Sequence, residues 1–435
     1  VKTTHIIFFY LVFLPGLVLG APMEKILTID ELIFRAMTVS DRAMAAEAEL
    51  AAASAGHKSA RADFFPKVDA VYSVTHLSED PVSKMGGTQM PVGHDTTHTW
   101  AVAVTQPLFT GFSLSAIGKI AELDVGIRKQ EGIRTRQTVV RDVKNFAYAV
   151  LLAEKLRKVA QAEVAALRAH EEDAKQFYKE GLIPLNDVLK SQVALAEAMQ
   201  KEERAKADLK LARIRLGLML KLPDSDAIRI QDPGAIDIPF SQCPDLMDQA
   251  LVSRPELAMR RMGREQFTES VNVAKSRFYP QVNLVAAYEE TGEEPGVRRN
   301  DYANRYNSRV GIHASWNFFE WGKTRYDMEK ARQIRAAEEA RIRQEEDRIR
   351  LEVREAYLDL TVSKANIRTA KEALTQAREN WRITELQYQQ QLATSTDVLN
   401  ARGFLTQADT NYFQAFYGHL SALAELDYAL GEGKE

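Results

Sequence analysis

A chain of 435 residues, 45% hydrophobic, is long enough for two or three ordinary domains with cores of their own. Charged residues make up 27% of it but cancel to a net charge of −3, which leaves no concentrated basic surface for nucleic-acid binding. One cysteine, Cys243, excludes an internal disulfide; without neighbouring Cys or His it makes a poor metal ligand, and a small buried side chain is expected there.

Residues 1–20 read as a secretory signal peptide. Lys2 supplies the positive start, Ile6 to Leu14 is an unbroken apolar run, and Val18-Leu19-Gly20 precedes Ala21, which places cleavage after Gly20. A short membrane anchor is the other reading, although Pro15 interrupts the stretch. No Cys follows Gly20 to carry a lipid. No later stretch approaches 18 consecutive apolar residues, so a membrane-spanning part would have to be built of strands.

Thr28-Ile29-Asp30-Glu31 is a capping box, opening a helix expected to run toward Ser59. Strand signals follow. Val68, Ala70, Tyr72 and Val74 alternate with Asp69, Ser73 and Thr75, with Val71 interrupting the polar set. Trp100, Val102 and Val104 alternate with Ala101, Ala103 and Thr105. A period of two puts one set on each face of a strand. A polar loop, Leu77–Thr97, joins the pair. Proline is then absent from 108 to 183 and from 185 to 222, which permits long helices. Residues 223–244, with Pro223, Pro233, Pro239 and Pro244, read as a linker.

The pattern then recurs. Ser253-Arg254-Pro255-Glu256 repeats the helix-opening logic, with Pro255 in the first turn. Val282, Leu284, Ala286 and Tyr288 form a third alternating stretch, and Val310, Ile312, Ala314, Trp316 and Phe318 a fourth, joined by the charged loop Thr291–Asn307. From Lys323 to Arg402 there is neither Pro nor Gly. A helix of about 65–70 residues there would be roughly 100 Å long and would need partners along its whole length. Val353, Leu360, Ile367, Leu374, Trp381 and Tyr388 recur every seven residues, with Ala356, Ala370, Ala377 and Thr384 three residues after members of that series, which is coiled-coil a/d spacing. The first copy keeps Val143, Val150, Val164 and Tyr178 on the matching stripe but breaks it at Arg157 and Glu171. An ordinary long coiled-coil dimer would show the same heptads. The mixed charges, as at 341–348, read as a solvated face.

The chain is thus an internal duplication. Residues 31–72 align onto 245–286, and 108–189 onto 318–399, with anchors such as Phe64/Phe278, Pro66/Pro280 and Asp187-Val188-Leu189/Asp397-Val398-Leu399. The expected organisation is a signal at 1–20, a first repeat at 21–222, a linker at 223–244, a second repeat at 245–430 and a disordered tail at 431–435. Ten-residue strands with one apolar and one polar face suit a transmembrane barrel, although a soluble two-hairpin sheet would carry the same alternation. Four strands cannot close a barrel, and an open edge in lipid is very costly, so several chains must contribute; three would give 12 strands.

This order of elements resembles the TolC-like outer membrane efflux protein family. The resemblance covers residues 24–431 and rests on Ala250-Leu251-Val252-Ser253-Arg254-Pro255-Glu256-Leu257, Phe278-Tyr279-Pro280, Gln106-Pro107-Leu108-Phe109-Thr110-Gly111 and the paired turns Tyr178–Leu189 and Tyr388–Leu399. It implies an α+β membrane protein: a homotrimeric 12-stranded β-barrel in the outer membrane continued by a periplasmic tunnel of 12 helices. It also implies passive conduction of drugs, metabolites, metal ions or polypeptides, with a periplasmic adaptor and an inner-membrane transporter of RND, ABC or MFS type as partners, and no cofactor.

In that family the two turns form a periplasmic iris closed by a tyrosine, an aspartate and an arginine. Tyr388 matches the tyrosine and Asp187 the aspartate, but Ala393 stands at the arginine position. Of a second pair of acids ringing the constriction, Asp397 matches one and Asn400 stands in place of the other. A carboxylate ring in a narrow opening selects for cations. Asp187 and Asp397 also fall in the first turn of a returning helix, where acids serve as caps or meet the positive helix end, and both roles are compatible. Gly181, Leu182, Gln391 and Leu392 mark the tips where adaptor contact is expected, although Gly181 fits equally the left-handed residue that ends a helix. His76, His94 and His98 read as solvated loop residues rather than a metal site.

Two other classes are set against the channel. A periplasmic adaptor also has a secretion signal and long helical hairpins, but one hairpin and Gly-rich soluble β-domains. An enzyme would need a nucleophile elbow, phosphate loop, Rossmann fingerprint or ligand cluster, and none of these motifs is present.

Overall fold

The computed structural model describes residues 26–223, 225–226, 228–234 and 243–432. The expected signal peptide, Pro239 with the middle of the linker, and the last three residues of the tail lie outside them.

The described chain opens with β1 (Ile26–Leu27) and α1 (Ile29–Val39). Both capping-box bonds are present: Thr28 N donates to Glu31 Oε2 (3.0 Å) and Glu31 N to Thr28 Oγ1 (3.2 Å). The helix expected to run toward Ser59 is two helices, because Ser40 leaves helical geometry and its Oγ accepts from Ala43 N (3.3 Å), capping α2 (Asp41–Ala62). Strand β2 (Lys67–His76) follows. The expected polar loop then holds a hairpin, β3 (Val82–Met85) and β4 (Thr88–Pro91), before β5 (Thr96–Phe109). Gly111 turns the chain from strand into helix at φ +62°, where a Cβ would lie 2.4 Å from the Ser276 carbonyl oxygen. Next come α3 (Ser113–Lys179) and α4 (Leu185–Met219).

In the segment read as a linker, β6 (Arg229–Ile230) pairs in parallel with β1, a contact the sequence did not signal. Helix α5 (Cys243–Ser253) begins at Cys243, which is half-buried rather than buried. Helix α6 (Pro255–Ser276) starts on Pro255, but Ser253 does not cap it; its hydroxyl donates to the carbonyls of Gln249 and Leu430 instead. Strands β7 (Gln281–Gly292) and β8 (Tyr306–Ser315) lead to α7 (Lys323–Gln389) and α8 (Ser395–Ala429). Strand β8 ends at Ser315, opposite Gln281, so Trp316 and Phe318 lie outside it; the next residue of the partner is Pro280, which has no N–H to offer. Trp316 Nε1 donates to the Phe278 carbonyl (3.2 Å). Helix lengths recur in order: α2 and α6 have 22 residues, α3 and α7 have 67, α4 and α8 have 35.

The four long strands form one antiparallel sheet in the order β2-β5-β7-β8. Its register gathers the alternating sets. Tyr72 lies opposite Trp100, Val102 opposite Tyr288, and Leu284 opposite Ile312, so the four apolar series share one face. The other face carries Ser73, Thr99, Thr291, Glu289, Arg309 and His313. In a single chain the apolar face is uncovered, with Val68, Val310 and Ile312 at 67%, 77% and 69% exposure. Strands β2 and β8 are open edges among the described residues.

The helices carry the core. Helix α3 packs against α2, α4, α6 and α8; α7 packs against α5, α6 and α8. One cluster joins Leu32, Val143, Val150, Leu216, Tyr417 and Leu420; a second joins Leu246, Leu257, Ile349, Val353, Leu360 and Leu426. All six members of the seven-residue series in α7 are buried or half-buried, so the heptad spacing marks a packed seam. Arg254, 3% exposed, ties this second cluster together: its guanidinium bonds Glu256, Glu352 and the Ala429 carbonyl. No helix among the described residues is long and apolar enough to cross a membrane.

A candidate gate at the helical tips

Helices α3 and α7 end in the same turn. At each, a residue with positive φ follows the helix, Gly181 (+73°) and Gln391 (+63°). The next amide then closes a six-residue return bond, Leu182 N to Phe177 O (2.9 Å) and Leu392 N to Gln387 O (2.8 Å). Gly181 is therefore the left-handed residue that ends its helix. Gln391 holds the same conformation with a side chain. Leu182 and Leu392 are exposed at the apices (47% and 74%).

The returning helices begin differently. Pro184 precedes α4 with no side-chain cap, whereas Thr394 and Asp397 form a reciprocal capping box on α8. Asp397 Oδ2 accepts from Thr394 N (2.9 Å) and Thr394 Oγ1 (2.6 Å), and these bonds hold its carboxyl below the usual carboxylate range. The carboxylate is exposed, as is Asn400; Ala393 is half-buried. Asp187 pairs with Lys190 (3.2 Å), and the same ammonium reaches Thr396 Oγ1 (3.2 Å) on α8.

Tyr388 lies inside the junction, 4% exposed, while its counterpart Tyr178 is 44% exposed. The Tyr388 ring packs on His170 (centroids 4.7 Å) and Phe177 (5.5 Å). Its hydroxyl is buried without a hydrogen-bond partner, and burial, with Asp173 and Asp187 nearby, pushes its pKa up to about 12. Asp187 is thus close enough to act on Tyr388 electrostatically, yet the two are not hydrogen-bonded. His170, Ser191 and Ser395 complete the junction and were missed in the sequence. The signal available was the break in the first stripe at Glu171, where His170, Glu171 and Ala174 are all buried.

Of the histidines read as loop residues, only His94 lies in a loop; His76 ends β2 and His98 lies in β5, and all three are engaged. His98 bonds Tyr72 (2.7 Å), His76 bonds Thr96 (2.9 Å), and His94 Nε2 lies 2.6 Å from Glu293. His94, Glu293 and Asp301 gather ligand-type atoms within 4.8 Å of one another, but Arg299 bonds Asp301 and flanks Glu293, so a guanidinium already occupies the acids' side of the group. The group clasps the two loops beyond the sheet.

The family described as "Outer membrane efflux protein" matches the chain twice, at residues 40–220 and 246–432. The outer membrane protein TolC of Salmonella enteritidis is 20% identical over 343 residues, 76% of this chain and 68% of that protein. The cobalt-zinc-cadmium resistance protein CzcC of Cupriavidus metallidurans is 25% identical over 342 residues, 77% and 78% of the two chains. The outer membrane protein VceC from Vibrio cholerae superposes with a TM-score of 0.79 at 18% identity, over 94% of this chain and 97% of that one.

Proposed function

The chain belongs to the outer membrane efflux protein family, and on that premise we propose that three copies close one duct, a 12-stranded barrel continued by a tunnel of 12 long helical segments. As a member of that family it is an outer-membrane efflux channel; nothing in the comparisons supports the adaptor reading. The observation that carries the trimer is the sheet: four strands, one face that gathers all four apolar series, and two edges left open among the described residues. In lipid the edges must be paired and the apolar face turned outward, which joins β2 of one copy to β8 of the next. The polar face then lines the lumen.

The two-repeat organisation, 21–222 and 245–430, is supported by the double family match and by the recurring helix lengths. The duct carries out no chemistry of its own. It accepts cargo from an inner-membrane transporter through a periplasmic adaptor that docks on the exposed tips at Gly181, Leu182, Gln391 and Leu392. Tyr388 and Asp187 belong to the closing junction. Three Asp397 carboxylates ring the constriction; capping keeps them ionised, and Asn400 and Ala393 leave the ring with fewer charges than six acids and an arginine would give.

Cysteines introduced one per strand along β2 and β8, in a Cys243→Ser background, test this. Oxidation of cells should yield covalent trimers in the outer-membrane fraction. A soluble periplasmic monomer, or crosslinks that stop at dimers, would overturn it.

A further inference from the structure

We propose that His170 is the positioning residue of the gate: with Ser395 and Ser191 it forms an uncharged latch that holds the second helical hairpin against the first at the tip. The inference rests on the reading of this tip as the gate and assigns its holding contact.

The geometry is specific. His170 on α3 is 5% exposed, and its Nε2 lies 2.8 Å from Ser395 Oγ at the start of α8. The same hydroxyl lies 3.3 Å from Ser191 Oγ on α4, and Ser191, fully buried, donates to the Asp187 carbonyl (2.9 Å). One serine of the second hairpin therefore bridges both helices of the first. The His170 ring also carries Tyr388 of α7. Separating the hairpins breaks the two bonds, uncovers three buried polar side chains and strips Tyr388 of its neighbour. The other polar contact across this junction, Lys190 to Thr396, is exposed and screened by water. Ala393 stands where the family carries an arginine, so that residue adds no charged contact at the turn; the charges that do face each other across the hairpins, Glu163 on α3 and Arg402 on α8, lie about two helical turns from the latch.

An uncharged latch should ignore salt and respond to acid. The groups facing His170 are Asp187 on α4, with Lys190 paired to it, Tyr388 on α7 and Ser395 on α8; Asp397 is turned to its own cap, and Asp173 on α3 acts on Tyr388. Burial lowers the His170 pKa to about 4 against the opposing pull of Asp187. In the opened state the ring meets water and returns toward its ordinary 6.5. The opened state therefore binds the proton better. Closure is complete above about pH 6.5 and weakens as pH falls toward 4, by up to about a hundredfold in the opening equilibrium.

The test is planar-bilayer conductance of the purified full chain. His170→Ala and Ser395→Ala should raise open probability about tenfold or more at pH 7.5, with little change between 0.1 and 1 M salt. His170→Gln, which keeps a hydrogen-bonding side chain, should stay closed at pH 7.5 and lose the response between pH 6.5 and 4. Ser191→Cys with Ser395→Cys, in the Cys243→Ser background, should lock the tip when oxidised and release it on reduction, which covers the case in which an alanine variant fails to assemble. If Tyr388→Ala opens the channel while the His170 and Ser395 variants and the oxidised pair behave as wild type, the latch is wrong and the gate stands. If conductance is indifferent to every one of these changes, including Tyr388→Ala, the gate reading itself fails.

Discussion

Helices α3 and α7 have the same length, 67 residues, and the same place in their repeats, yet 17 residues of α3 are buried against 10 of α7. Helix α3 is packed by α2, α4, α6 and α8, whereas α7 leaves one side bare, with Leu351, Leu358 and Val362 more than half exposed at seven- and four-residue spacing. Equal length thus conceals unequal completion. Helix α3 finds its partners within the chain; α7 carries an apolar stripe that the proposed trimer would cover with a neighbouring copy. On α4 a matching row, Leu189, Val193, Leu211 and Leu218, is also exposed, and in the proposed trimer the two rows are able to meet.

The sharpest way to break this contrast is to charge the bare stripe. Leu351→Glu with Leu358→Glu should abolish the trimer by size-exclusion light scattering while leaving the helical circular dichroism of the monomer nearly intact. Loss of helicity together with assembly would mean that these leucines serve the chain's own core and that the two helices are alike after all.

A second contrast lies at the base of the hairpins. The first is rooted in apolar contacts around Val143, Leu216 and Tyr417; the second is rooted through Arg254, whose guanidinium joins α6, α7 and the end of α8. Removing one partner of a buried ion network leaves the others uncompensated. Arg254→Ala should therefore cost about 3–5 kcal/mol in chemical denaturation, and Arg254→Met should recover part of it by filling the space. Equal losses for both would show that packing rather than charge holds this base.

Much of this was legible in the sequence because it follows from periodicity. A seven-residue repeat fixed the α7 seam, and a two-residue repeat fixed which strand faces are apolar, so Val353, Leu360, Tyr72 and Ile312 fall where spacing put them. What was not legible depends on contacts between distant segments. Strand β6 pairs with β1 across some two hundred residues, and two-residue strands carry no pattern. The Ser40 break is a local choice between continuing a helix and capping a new one. At the tip, the family's pattern pointed to Tyr388 and Asp187, but His170 answers to no motif; it is defined only by what α8 brings to it.

The tips offer smaller and more local tests of the same inequality. Asp397→Ala should reduce cation selectivity and block by multivalent cations, since it removes the carboxylate of the proposed ring as well as a cap. Unchanged selectivity with a frayed α8 would reduce Asp397 to its capping role. Ala393→Arg should lower single-channel conductance by adding a charge able to reach the acids of the first turn; an unchanged value would count against placing Ala393 at the constriction.

The smallest expected effect concerns the one residue at which the two turns differ in backbone cost. Gly181 and Gln391 adopt the same left-handed conformation, but only glycine does so without strain between Cβ and the backbone. Gln391→Gly should therefore stabilise the second turn by about 1 kcal/mol, and Gly181→Gln should weaken the first by a similar amount. If both swaps leave adaptor binding unchanged, the difference is only one of strain. If Gln391→Gly weakens adaptor binding while raising stability, the side chain is kept for its contact, and the two tips are unequal because the partner reads them differently.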